Sequence, residues 1–171
     1  MSPPSLPDGL TRRPATDSAA DMALLCHLYA TTRAEELAMV PWSDEQKDLF
    51  VRQQFHAQHT YYHQTWPDAA YDIVELCGQP IGRIYVDLPS DGIQLMEITL
   101  LPELRGRGLG TALIQQVLTL ADTRQQPVSL FVEAHNPAQR LYARLGFVFT
   151  EDHGVYQLLT RPAQTPPSPA A

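Results

Sequence analysis

Between Leu101 and Thr111 an apolar, strand-like stretch passes into a helical pattern through three alternating glycines, Gly106, Gly108 and Gly110, set among Arg105 and Arg107. Three physical conditions meet in such a joint. Glycine takes positive φ and lets a ligand approach the backbone, the first helical turn has N–H groups without internal acceptors, and the helix dipole favours an anion there. A phosphate satisfies all three. The chain must therefore fold around a strand, an anion-holding loop and a helix.

The spacing narrows which phosphate is meant. A dinucleotide-binding G-x-G-x-x-G fingerprint would need glycine at Thr111, and a Walker A loop would need Lys and Ser/Thr after its last glycine, where Thr111 and Ala112 stand. What remains is Arg105-x-x-Gly108-x-Gly110.

On either side the period of the apolar residues assigns the elements. Leu10 to Arg13 is a short strand, and Thr16-Asp17 caps a helix carrying Leu24, Leu25, Leu28 and Tyr29. Ser43 with Gln46 forms a capping box for a second helix, with Phe50, Val51, Phe55 and Tyr62 at helical spacing. Three alternating strands follow: Tyr71 to Cys77, Pro80 to Leu88 after a Gly78-Gln79 turn, and Ile93 to Leu101 after Ser90-Asp91-Gly92. Past the glycines, Leu109, Leu113, Gln116, Val117 and Leu120 share a helical face. Pro127 to Glu133 is a strand, Pro137 opens a short helix that Gly146 ends, and Phe147 to Glu151 with Val155 to Thr160 closes a hairpin. The order β-α-α-β-β-β-α-β-α-β-β is an α/β fold with a mixed sheet, its central strand–helix–strand crossover parallel and right-handed. One domain is expected over residues 9–161, with tails at 1–8 and in the Pro-rich 162–171.

Composition limits the function classes. A net charge of −7 argues against nucleic-acid binding, which rests on Lys and Arg. There is no apolar run of membrane-spanning length and no signal-peptide pattern at the start, so no membrane association and a cytoplasmic location are expected. Cys26 and Cys77 lack metal or redox spacing and read as reduced thiols. His56, His59 and His63 share a helical stripe, but without a cysteine or acidic pair at ligand spacing the expectation is no metal.

The glycine loop, together with Asn136-Pro137-Ala138-Gln139-Arg140-Leu141-Tyr142-Ala143-Arg144-Leu145-Gly146-Phe147, resembles the two hallmark segments of the GCN5-related N-acetyltransferase (GNAT) family. The stretch from Asn136 to Tyr142 is one residue shorter than the usual spacing. The resemblance implies the acyl-CoA N-acyltransferase fold and acetyl-CoA as co-substrate, with a small-molecule or peptide amine as acceptor. By it, Ile98, Thr99 and Leu100 offer backbone groups to the pantetheine arm where two strands part, and a backbone N–H near Leu100 meets the oxyanion. Arg105, Gly106, Arg107, Gly108, Leu109, Gly110 and Thr111 hold the pyrophosphate, and Asn136 positions a pantetheine amide.

Attack on a thioester needs a neutral amine, and an alkyl amine has a pKa of roughly 10, so a carboxylate must take its proton. Glu97 is one candidate and Glu133, at the end of the next strand, another; the family base commonly aligns with Met96 or Gln94. Tyr142 is the candidate acid for the leaving thiolate. Glu36 and Trp42 would wall the acceptor pocket. The aromatic helix face at 55 to 62 fits either a homodimer contact or a pocket wall. A non-catalytic acyl-CoA sensor or scaffold on the same fold is the alternative, motivated by the apolar Met96.

Overall fold

The computed structural model describes residues 6–165, so residues 1–5 and 166–171 of the expected tails lie outside it. Seven strands form one sheet: β1 (Leu10–Pro14), β2 (Ala70–Leu76), β3 (Gln79–Asp87), β4 (Ile93–Leu100), β5 (Val128–Glu133), β6 (Val148–His153) and β7 (Tyr156–Arg161). Their spatial order is β1-β2-β3-β4-β5-β7-β6. The helices are α1 (Ala19–Ala38), α2 (Asp44–Thr65), α3 (Leu109–Arg124) and α4 (Gln139–Arg144), in the expected order. Among the described residues only β4 and β5 pair in parallel, joined through α3.

The two faces of the sheet carry different cores. On one face α3 and α4 bury Leu113, Ile114, Val117 and Tyr142 against Ile84, Val86, Leu95, Leu130 and Val132. On the other, α1 and α2 bury Leu25, Tyr29, Val51 and Phe55 against Ile73 and Tyr85. That second cover stops at β4, and β5, β7 and β6 leave Phe131, Val148 and Tyr156 exposed. Among the described residues no helix is long and apolar enough to cross a membrane.

Several local expectations are corrected. Ser18, not Thr16-Asp17, caps α1: its hydroxyl accepts from the Asp21 N–H. Thr16 instead donates to Asp21 through its hydroxyl and its backbone N–H. The first hairpin turns at Cys77-Gly78 rather than Gly78-Gln79, with both residues at positive φ (51° and 78°), as a two-residue turn of the primed kind requires. Leu120 faces outward while Ile114, Leu118 and Ala121 complete the buried stripe of α3. Pro137 lies in the turn before α4, whose N-cap is Ala138. The capping box of Ser43 and Gln46 forms as expected. Leu6 packs against the core, and the backbone N–H of Gln164 donates to Asp122.

Candidate active site

The parallel ladder between β4 and β5 is two residues long, Ile93 with Val128 and Gln94 with Ser129. Beyond it β4 stays paired with β3 as far as Leu100, and β5 stays paired with β7 as far as Glu133, so the two strands part into a wedge. A bulge accompanies the parting. Tyr85 faces Glu97 but Val86 faces Leu95, which leaves Met96 as an extra residue in β4 and bends the strand.

The bulge also reverses the facing of Glu97. Strict alternation would put Glu97 with Ile93 and Leu95 on the α3 side. Instead Met96 packs in the α1–α2 cluster, and Glu97 accepts a hydrogen bond from the hydroxyl of Tyr62 on α2, at 2.8 Å. Ile98 then returns to the α3-side core. Glu97 thus comes to the face of Met96, one of the two positions with which the family base commonly aligns.

Backbone direction follows from the same ladder. The Leu101 N–H donates to the Ile81 carbonyl at 2.8 Å, so by antiparallel alternation Thr99 and Glu97 turn their peptide groups to β3, while Ile98 and Leu100 turn theirs into the wedge. Of the three residues expected to face the pantetheine arm, Ile98 and Leu100 have their backbone turned toward the wedge, and Thr99 lies buried with its backbone directed to β3.

At the open end of the wedge, Pro102–Leu104 makes a 3-10 turn and the glycines follow. Gly106 and Gly108 have φ of 73° and 78°, and a Cβ on either would meet nothing, so the left-handed backbone itself calls for glycine. Gly110 differs: its φ is ordinary and a Cβ there would touch only Leu100 Cδ1 at 3.9 Å. A side chain at 110 would fit the fold and fill the space before the helix. Gly108 caps α3 without a side-chain hydrogen bond, and the first internal bond runs from the Ala112 N–H to the Gly108 carbonyl at 3.0 Å. The N–H groups of Leu109, Gly110 and Thr111 therefore lack helical acceptors, a donor set that fits a diphosphate.

Arg105 serves the loop from behind. Its Nε donates to the Leu100 carbonyl at 3.0 Å and an Nη donates to the Thr31 hydroxyl at 3.1 Å, tying the glycine loop to both the end of β4 and α1. Arg107 is exposed beside it.

Tyr142 lies on α4 and belongs to the core beneath α3 and α4. It is buried, lies edge-on to Phe147 with ring centroids 5.7 Å apart, and has its phenol pushed up by burial and then by the charge of Glu97. Glu97 also stands 3.8 Å from Arg83, which is 1% exposed, lies over the ring of Tyr85 at 5.1 Å, and has an unpartnered Nε. A buried guanidinium requires compensation, and Glu97 provides the negative charge. Burial and then Glu97 raise the phenol of Tyr62 well above its ordinary value.

Tyr62 and Arg83 are the site residues that the sequence did not reveal. The helical period put Tyr62 on the inward face of α2 but could not say which strand it would meet. His63 stacks on Tyr71 at 3.9 Å and His59 packs against His63 at 4.3 Å, with the His59 imidazole lowered by burial first and His63 second. Among the described residues no group of three or more His, Cys, Asp or Glu could hold a metal ion.

The remaining candidates lie around the rim. Glu133 is exposed at the end of β5, and its carbonyl accepts from the Asn136 N–H and from Gln139 Nε2. The Asn136 carboxamide oxygen accepts from the Ala138 N–H, shaping the turn into α4. That turn borders an open cavity of about 540 Å³ lined by Ala134, His135, Asn136, Pro137, Gln139 and Arg140. Glu36 pairs with Arg33 at 3.2 Å, and Trp42 packs edge-on to Phe50, both near the α1–α2 connection.

A model of the Acetyltransferase (GNAT) family matches residues 27–147. The chain is 32% identical over 92 residues to the "Putative ribosomal protein bS18-alanine N-acetyltransferase" of Bacillus subtilis (strain 168), a match covering 51% of this chain and 60% of that relative. Its fold resembles the PaiA N-acetyltransferase of Thermoplasma acidophilum in complex with coenzyme A, with a TM-score of 0.67 at 16% identity over 90% of this chain and 98% of that one. It also resembles a GNAT family acetyltransferase of Elizabethkingia anophelis with acetyl-CoA bound, with a TM-score of 0.58 at 15% identity over 91% and 99% of the two chains.

Proposed function

Because this chain belongs to the acetyltransferase (GNAT) family, we propose that it transfers the acetyl group of acetyl-CoA to a primary amine by direct attack within a ternary complex. The observation that carries the reading is the wedge itself. It opens onto the N-terminal end of α3, whose first N–H groups lack acceptors, with Glu97 on β4 beside it and Tyr142 in the core under α3 and α4.

Acetyl-CoA supplies an acyl thioester and, once the acetyl group has moved, a thiolate. The glycine loop and the α3 N–H groups bind the diphosphate, and the peptide group of Ile98 and the N–H of Leu100, whose carbonyl is held by Arg105, align the pantetheine arm. Glu97, aimed by Tyr62, accepts the proton that the amine loses, directly or through one water. Tyr142 gives its phenolic proton to the departing sulfur. Burial disfavours the phenolate and an unpaired thiolate alike, so it sets no direction by itself; release of the thiol draws the transfer forward, and the phenolate regains a proton from solvent before the next turnover. Glu97 suits the base role better than Glu133 because it stands in the wedge beside Arg83, whereas Glu133 sits at the exposed strand end.

The test is thiol release from acetyl-CoA over a panel of amines that includes alkylamines, amino acids, an aminoglycoside and a peptide beginning with alanine. The last is chosen because of the curated relative. At least one amine is expected to raise release well above hydrolysis and to yield an acetylated product. If the coenzyme binds but no amine does so, the non-catalytic sensor is the better reading.

A further inference from the structure

On the α2 side of the sheet, β5, β7 and β6 have no helix over them. The register places Glu133, Tyr156 and His153 in one row and Phe131, Leu158 and Glu151 in the next. Phe131 and Tyr156 are 46% and 42% exposed. His153 lies edge-on to Phe131 at 5.2 Å and 3.3 Å from Glu151. Among the described residues in these rows there is no lysine or arginine, and the ionisable groups beside the aromatic surface are the carboxylates of Glu133 and Glu151 with the imidazole of His153. The face begins where the wedge opens, since Glu133 ends β5 there and pairs with Tyr156 at the start of β7.

We infer that the acceptor is the N-terminus of a polypeptide carrying basic side chains among its first few residues, laid extended across the open face of β5, β7 and β6. This rests on the transferase reading and names the acceptor of that same site. The dimensions favour a peptide over a small amine. Glu133 and Glu151 stand two strands and one row apart, about 12 Å, which an extended chain covers with about four residues. With its terminal amine beside Glu97, such a chain passes Glu133 first and Glu151 later, its apolar stems resting on Phe131 and Tyr156. A lone alkyl amine would use none of this surface. Charge complementarity fixes the sign of the side chains and steers their approach.

Calorimetry on the CoA-loaded protein compares two seven-residue peptides that share an N-terminal alanine, one with two lysines and one with two glutamates in their place. The basic peptide is expected to bind about five-fold more tightly at low salt, a difference that vanishes near 1 M salt. Glu151→Lys is expected to abolish or reverse the preference without changing CoA affinity. Equal affinities, or a preference indifferent to Glu151→Lys, overturn the inference. So does a higher kcat/KM for 1,4-diaminobutane than for the basic peptide, or a dimer in solution that Phe131→Arg dissociates, which would put a second copy on this face. Turnover of a small amine with neither peptide bound rejects the peptide and leaves the transferase reading intact. Charge-selective peptide binding with no thiol release does the reverse.

Discussion

At the scale of single residues, two phenols divide the work around one carboxylate. Tyr142 on α4 carries the proposed role of acid, and Tyr62 on α2 donates to Glu97, the proposed base. Tyr142→Phe keeps the ring and its packing on Phe147, so CoA affinity should hold while amine-dependent thiol release falls about 10²-fold or more in single-turnover assays. Tyr62→Phe should leave CoA affinity unchanged and lower kcat about ten-fold, because the carboxylate loses its fixed direction. A third residue bears on stability. Asp21 is buried and accepts from both Nη atoms of Arg13 and from the hydroxyl and N–H of Thr16, and its carboxyl is held far below the usual range, chiefly by Arg13. A lowered folded-state value means stability that is complete above an unfolded value of about 3.9 and is lost as pH falls below it. Denaturant titrations should show Asp21→Asn costing about 2 kcal/mol at pH 7 and a flatter loss of stability below pH 4 than in the parent chain.

At the scale of elements, the joint between β4 and α3 separates what the backbone needs from what a ligand needs. Gly108 is required by its left-handed φ, so Gly108→Ala should lower thermal stability by about 1 kcal/mol as well as weaken CoA binding. Gly110 carries no such constraint. Gly110→Val should keep a cooperative melt near that of the parent chain, apart from a small helix-propensity cost, yet lose most CoA affinity in calorimetry, because its side chain occupies the space before the first turn of α3. The sequence showed these elements well where a single period governed them. The glycine loop, the capping box at Ser43 and the strand–helix alternation each depend on neighbours along the chain. It showed them poorly where a cap competed with its neighbours, as at Thr16 and Ser18, or where the strand broke its own period. The bulge at Met96 leaves no mark in an alternating pattern, yet it decides which face Glu97 serves.

At the scale of the whole molecule, the sheet divides into a half covered on both faces and a half covered on one, and the chemistry falls at the seam. β1 to β4 carry α1 and α2, β5 to β7 do not, and the wedge between β4 and β5 opens where that cover ends. The glycine loop of the proposed donor side was legible beforehand, because its left-handed glycines and the unpaired N–H groups of α3 are local backbone geometry. The acceptor half was not. The proposed acceptor side rests on Tyr62, Arg83 and Glu97, which belong to three elements and meet only through tertiary packing. The central claim is that these halves act together on one amine, and the most direct measurement couples thiol release to product mass for the same reaction mixture. With an accepted amine, one equivalent of free thiol should appear per acetylated product, and Tyr142→Phe should suppress both equally while leaving CoA bound. Bound CoA with thiol release no faster than hydrolysis and no acetylated product from any amine would contradict the account.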